Sequence, residues 1–184
     1  GAGSVVNGYE SLTGAINVEL IKPDAREKMY FNAYVNHFGR GELNLNLNHK
    51  LSDKWAVGFL THGSTLQNRV DNNGDGFMDL PLYTQFNGVN RWQYKSDKIM
   101  AQFGVKALTE SRLGGQMGFY PSEHRGTAKF YGFGNQTNRI EVFSKTAKLY
   151  QDKPYKGLGL VVNASQHTTD SYFGFANYDG RQRT

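Results

Sequence analysis

The 184-residue chain contains no cysteine, only four prolines and no long apolar run. Without cysteine it has no disulfide framework, no thiolate metal site and no cysteine nucleophile. A membrane-spanning helix needs about 18 or more consecutive apolar residues, a length that no stretch of this sequence approaches. Disordered chains are poor in aromatic residues, whereas this one has 11 Tyr and 12 Phe. The composition therefore indicates an ordered, β-rich protein.

Charge and short motifs weigh against two broad classes of function. The net charge of +5 would suit a nucleic-acid partner, but the Lys and Arg residues are scattered without a dense basic run. We therefore expect no nucleic-acid binding. The sequence also lacks a Gly-x-Ser-x-Gly elbow, a P-loop and a His-Glu-x-x-His pair. We predict that the protein is not an enzyme.

Alternation of apolar and polar residues is the dominant pattern in the chain. From Leu43 to Asn48 every second residue is Leu and every residue between is Asn. Successive side chains of a strand point to opposite faces, so this strand has one Leu face and one Asn face. Similar stretches predict eight strands, at about residues 28–38, 41–51, 54–63, 88–95, 98–108, 138–150, 156–167 and 171–178.

The connections between these strands alternate in length. Short polar turns lie near residues 52–54, 96–97 and 152–154, and long connections run over about 63–87 and 109–137. Strands of about 9–11 residues with short turns at one end and long loops at the other are typical of outer-membrane β-barrels. Trp55 and Trp92 lie beside short turns, as in an aromatic girdle at a membrane surface. The alternative is a soluble β-sandwich, whose strands alternate in the same way.

One stretch carries a family resemblance. Residues 3–18, GSVVNGYESLTGAINV, resemble the end of the plug domain of TonB-dependent outer-membrane receptors, and residues 138–145, 153–160 and 178–180 look like barrel segments of that family. The resemblance implies an all-β fold, the N-terminal portion of a plugged transmembrane antiparallel barrel of about 22 strands. It assigns residues 1–26 to the end of the plug and residues 27–184 to about the first eight barrel strands. The chain is then expected to be a fragment, with extracellular loops near 63–87 and 109–137.

The same resemblance implies a function. The protein would be a multi-pass component of the outer membrane of a Gram-negative-type bacterium, in contact with lipid and lipopolysaccharide. It would import a scarce nutrient, and we favour a metal chelate such as a ferric siderophore, with haem and cobalamin as other candidates. The TonB–ExbB–ExbD complex would supply the energy, and a surface lipoprotein is a further candidate partner. A passive porin-like channel and a soluble calcium-dependent carbohydrate-binding β-domain remain as alternatives.

One loop has the composition of a calcium site. Oxygen donors fall at positions 1, 3, 5, 7 and 9 of an EF-hand loop, with Gly76 at position 6. Position 12 is Leu82 instead of the usual Glu, and no helical pattern flanks the loop. The alternative is an exposed Asn/Asp/Gly turn cluster. The predicted cofactor is Ca²⁺, which would stiffen the loop through Asp71, Asn73, Asp75, the carbonyl of Phe77, and Asp79.

Polar residues on the predicted strands would line the lumen of a barrel. They either hydrate the interface between plug and barrel or, where they are cationic, attract an anionic cargo. By their spacing the lumen residues are Asn44, Asn46, Asn48, Arg91, Gln93, Gln102, Lys106 and Asn163. The candidate ligand-binding residues are Arg91, Gln93, Gln102 and Lys106, together with His124 and Arg125 of the second long loop.

Overall fold

Eight antiparallel strands form one sheet in the computed structural model, which describes residues 20–153 and 155–184. The plug-like segment 3–18 lies outside the described residues. A short helix, α1, spans Pro121–His124 between the fifth and sixth strands. The strands are β1 Met29–Val35, β2 Gly41–Lys50, β3 Trp55–Leu66, β4 Leu82–Lys95, β5 Ile99–Gly115, β6 Gly132–Leu149, β7 Gly157–Phe173 and β8 Ala176–Arg183.

The strands are arranged in the sheet in the order of the sequence. Each strand pairs with the one before it and the one after it, so the sheet is a continuous meander from β1 to β8. The predicted all-β class is confirmed. Among the described residues, β1 and β8 each have one neighbour, and the sheet has two open edges. No helix in the described part of the chain is long and apolar enough to cross a membrane.

The strands run further towards the long loops than the sequence pattern predicts. β4 begins at Leu82, β5 extends to Gly115 and β6 begins at Gly132, so the long loops are residues 67–81 and 116–131. The added ends are largely polar and lack apolar alternation, but their backbone pairing continues in register. The expected break near residue 170 is wrong. β7 continues to Phe173, and the chain turns at Gly174, whose φ of +58° suits glycine.

The register sorts the strand residues onto two faces, because directly paired residues of antiparallel strands point to the same side. One face, here the apolar face, carries most of the large aliphatic and aromatic side chains. The other, the polar face, carries most of the amides and charges. The apolar face includes Met29, Phe31, Val35, Leu43, Leu45, Leu47, Trp55, Val57, Phe59, Trp92, Tyr94, Ile99, Ala101, Phe103, Val105, Ala107, Ile140, Val142, Leu158, Leu160, Val162 and Ala164.

The apolar stretch shifts along the sheet. One row of paired residues joins Met29, the first apolar residue of β1, to Ala164, the last apolar residue of β7. Between these two strands the centre of the stretch is therefore displaced towards the short turns by an average of about one residue per strand, although the strands between them do not step evenly. A shift of about 3.3 Å along the strand for each step of about 4.8 Å between strands means that the apolar band crosses the strands at a tilt of about 35°.

No second layer covers the apolar face in the described part of the chain. Leu43 is 58% exposed, and Phe31, Val142 and Leu160 are exposed as well. The described residues thus do not form the β-sandwich that was the alternative. Burial is concentrated instead on the polar face, beneath residues 20–28 and around Glu141, and within the long loops.

Candidate functional site

Residues 20–28, here called the strap, lie across the polar face near the short turns. The Arg91 guanidinium donates hydrogen bonds to the main-chain carbonyls of Ile21 and, at 3.3 Å, of Leu20. Pro23 is fully buried, and a Cβ added to Gly58 would lie 3.0 Å from Asn48 Oδ1 and 3.4 Å from the Pro23 ring. Glycine at position 58 therefore gives the strap room to pack on β3.

The second half of the strap is fixed by an ion pair and by main-chain bonds. The Lys95 ammonium lies 2.6 Å from the Asp24 carboxylate. This hydrogen bond from Lys95 lowers the pKa of Asp24 below its ordinary value, against the opposing effect of partial burial. The Asn48 side chain donates to the carbonyl of Glu27 at 3.1 Å, and its backbone N–H donates to the carbonyl of Lys28 at 2.8 Å. The strap is thus held by β2 and β4 along its whole length.

A buried carboxylate organises the middle of the polar face. Glu141 on β6 is only 7% exposed. It accepts hydrogen bonds from Lys106 at 2.7 Å, from Arg139 at 2.9 Å and from Asn163 at 2.9 Å. Two cations share one carboxylate, so the cluster keeps a positive charge.

Basic residues outnumber acidic ones on the polar face of the strands. The acidic residues are Glu42, Glu110 and Glu141. The basic residues are Lys50, Arg91, Lys95, Lys106, Arg112, Arg139 and Lys145. This surplus gives the face a positive potential that favours anions.

The predicted lumen residues all lie on the polar face, as their spacing predicts. Gln102 donates to Gln93 at 3.4 Å on the neighbouring strand, and Gln93 is 4% exposed. Arg91 binds carbonyl groups of the strap and Lys106 binds Glu141, so both of these candidate ligand-binding side chains already have protein partners in the described structure. Sequence reasoning missed Glu141, although its alternation within β6 could have placed it there. It also missed Lys95, whose partner Asp24 lies too far away in the sequence to give a local signal.

The two long loops are tied together. Phe77 forms an isolated antiparallel bridge with Gln116, and the Met117 N–H donates to the carbonyl of Gly76 at 2.8 Å. The Arg69 guanidinium donates to the carbonyl of Met117 at 2.5 Å. These bonds join the β3–β4 loop to the β5–β6 loop.

The residues of the predicted calcium loop bond to one another. The Asp71 carboxylate accepts backbone N–H groups from Gly74 at 2.8 Å and Gly76 at 2.9 Å, while Asp79 accepts that of Asn72 at 2.9 Å. Gly74 and Gly76 have φ values of +71° and +84°, which favour glycine. The loop is therefore tightly turned. Among the described residues, no group of three or more acidic or histidine side chains is arranged to hold a metal ion, and calcium binding stays a prediction.

His124 and Arg125 are placed in the second long loop by contacts with that loop and with β7. His124 is 6% exposed, and its Nδ1 accepts the backbone N–H of Tyr120 at 3.0 Å. The Arg125 guanidinium stacks 4.3 Å from the centre of the Tyr172 ring. Both side chains therefore pack against neighbouring protein groups, and neither is brought near the predicted lumen residues.

No protein-family model, curated protein or solved structure matches this chain. The candidate site is therefore defined by its own contacts, which are the strap, the Glu141 cluster and the basic surplus of the polar face.

Proposed function

We propose that this chain is part of the wall of a TonB-dependent outer-membrane receptor that imports a scarce nutrient. The observation that carries the proposal is the separation of an exposed apolar face from a polar face on one meander of long strands. Such a sheet suits a bilayer if its edges are closed by further strands, because every backbone group is then paired. The force supplied by TonB, ExbB and ExbD would act on the polar side of the sheet, which would face the lumen.

The dimensions of the apolar face support a lipid-facing role. On β5 the apolar stretch runs from Ile99 to Ala107, which is about 26 Å along the strand at about 3.3 Å per residue. With a tilt of about 35°, this corresponds to about 21 Å along the membrane normal, near the roughly 25 Å band of outer-membrane barrels. The tilt itself agrees with the roughly 35–45° of barrel strands.

Aromatic residues mark one border of this band. Trp55 and Tyr94, which are paired beside the short turns, have ring centres 4.9 Å apart. Trp92 donates its indole N–H to Asn90 at 2.9 Å on the same face. That bond would satisfy two polar groups that lipid cannot satisfy. The Trp55–Tyr94 pair supports a membrane surface at the level of the short turns.

The strap favours a plugged receptor over an open porin. It occupies the polar face, which would be the lumen side, and it enters β1 directly at Met29. A porin lumen is polar and filled with water. The basic surplus of the same face favours an anionic cargo, which supports a metal chelate such as a ferric siderophore.

Depth-dependent fluorescence quenching tests the membrane placement. In the intact protein reconstituted with brominated lipids, with other tryptophans replaced, Trp55 should be quenched most by bromine near the headgroups, and Trp92, which is paired with Phe103 near the middle of the band, by bromine deeper in the acyl chains. A tryptophan introduced by Asn46→Trp on the polar face should be quenched several-fold less. Extraction by carbonate, or equal quenching at all three positions, would favour the soluble carbohydrate-binding alternative.

Uptake measurements test the transport assignment. Cells that express the intact protein should accumulate a radiolabelled ferric chelate only when they are energised, and a protonophore should stop the uptake. Passive flux of neutral sugars through vesicles that contain the protein would identify the porin-like alternative instead.

A further inference from the structure

We infer that the strap is a static anchor, which means that residues 20–28 stay docked on β2, β3 and β4 while cargo is imported. The inference rests on the proposed function for one point only, that force is applied on the polar side of the sheet. The strap would therefore not move relative to the strands of the sheet.

The first argument is burial. Pro23 is fully buried beneath a sheet whose faces are otherwise largely exposed, and Arg91 and Gln93 beneath the strap are 8% and 4% exposed. Removing the strap would leave the Arg91 guanidinium without its carbonyl partners. Release would exchange these bonds for bonds to water and would return the buried Pro23 ring to solvent, and the loss of that apolar burial opposes release.

The second argument is the type of contact. Arg91 and Asn48 bind carbonyl groups of the strap backbone, and these bonds do not depend on the side chains that the strap presents. The backbone N–H of Asn48 also bonds to the carbonyl of Lys28, the last residue before β1. The last residue of the strap therefore continues the backbone hydrogen bonding between β1 and β2, and displacing the strap would also break this bond at the start of β1.

Thiol labelling tests the anchor directly, because these 184 residues contain no native cysteine. Pro23→Cys places a thiol in the buried contact, and Gln93→Cys, which replaces a 4% exposed side chain beneath the strap by a smaller one, places a thiol there from the side of the wall. Asp53→Cys is the matched control, because the Asp53 side chain is fully exposed in the neighbouring short turn. Cells that express each intact variant are treated with a small charged maleimide, with and without a protonophore.

A static anchor predicts that the thiols introduced at positions 23 and 93 react at least about tenfold more slowly than the thiol at position 53, since labelling needs local opening. It also predicts that the protonophore leaves all three rates unchanged. An energy-dependent rise at positions 23 and 93 towards the rate at position 53 would overturn the inference. Rapid labelling in both states would overturn it too, because the strap would then not be docked.

The two reporters keep the test decisive. If Pro23→Cys prevents folding, Gln93→Cys reports on the same region from β4. If carbonate extracts the protein from the membrane, the proposed function fails, but labelling of the purified intact protein still shows whether the strap is docked. Protection in the purified protein followed by energy-dependent exposure in cells would refute the static anchor while it supported an energised receptor.

Discussion

The stability of the Val105→Arg variant distinguishes a sheet whose apolar face contacts lipid from one whose apolar face contacts water. Val105 lies on the apolar face of β5, is 40% exposed, and is two residues from Phe103 at the centre of the Ile99–Ala107 stretch. At about 3.3 Å per residue and a tilt of about 35°, it would lie about 5 Å from the middle of the band. Arginine near the middle of a barrel's lipid face costs about 2–4 kcal/mol, and we expect about 2–3 kcal/mol here.

Two controls fix the interpretation of that loss. Ser111→Arg lies on the same face of β5 but about 22 Å from the centre along the normal, beyond the band, and should cost at most about 1 kcal/mol. Gln102→Arg lies on the polar face near the same depth and should cost less than about 1 kcal/mol.

The free energy of unfolding is measured by urea titration of the intact protein in phospholipid vesicles, followed by tryptophan fluorescence. The midpoint should fall clearly for Val105→Arg alone. If the apolar face lies in water, Val105→Arg is an ordinary surface substitution, worth about 0.5 kcal/mol or less. Equal small losses for Val105→Arg and Ser111→Arg would therefore refute the lipid-facing assignment.

Three further predictions concern the polar face and the loops. Glu141→Gln removes the negative charge of a buried cluster and replaces one accepting oxygen by a donating NH2 group that faces other donors, so it should lower the free energy of unfolding by about 2–3 kcal/mol, whereas the more exposed Glu110→Gln should cost less than about 1 kcal/mol in the same titration. Because Lys95 lowers the pKa of Asp24, the pair stabilises the fold above the ordinary pKa of aspartate, and this stabilisation is lost as the pH falls through the lower folded value. An NMR titration of the Asp24 carboxyl should show the lowered pKa and its return towards the ordinary value in Lys95→Met; an unchanged titration would contradict the pairing. Calcium should slow proteolysis of the β3–β4 loop relative to a chelator, and Asp75→Ala should remove the difference; equal digestion with and without calcium would refute the calcium site.

Local alternation made most of the sheet predictable. The Leu and Asn faces of β2 and the polar-face position of Lys106 follow from a period of two, and the register agrees. The outer ends of β4 to β6 were not predictable because their residues are mostly polar on both faces. Backbone pairing that continues an established register extends these strands without an apolar pattern.

The contacts of the site join residues that are far apart in the sequence, and a local pattern does not show which distant residues will meet. Arg91 and Ile21 are 70 residues apart, as their hydrogen bond records, and nothing near either residue predicts their contact. The same holds for Arg125 and Tyr172, which meet only because the β5–β6 loop packs against β7. Spacing could assign Arg91 to a face, but it could not show that the strap would occupy its donors.

The meander order of the strands bears on how the chain reaches its final shape. Each strand pairs with the strand just completed, so strand pairing, unlike the docking of the strap, never has to bring together segments that are remote in the chain. The entropy lost in closing each connection grows only slowly with its length, and the β4–β5 and β7–β8 connections contain only a few residues. Assembly can therefore proceed hairpin by hairpin, with each new strand using the exposed edge of the last as its template.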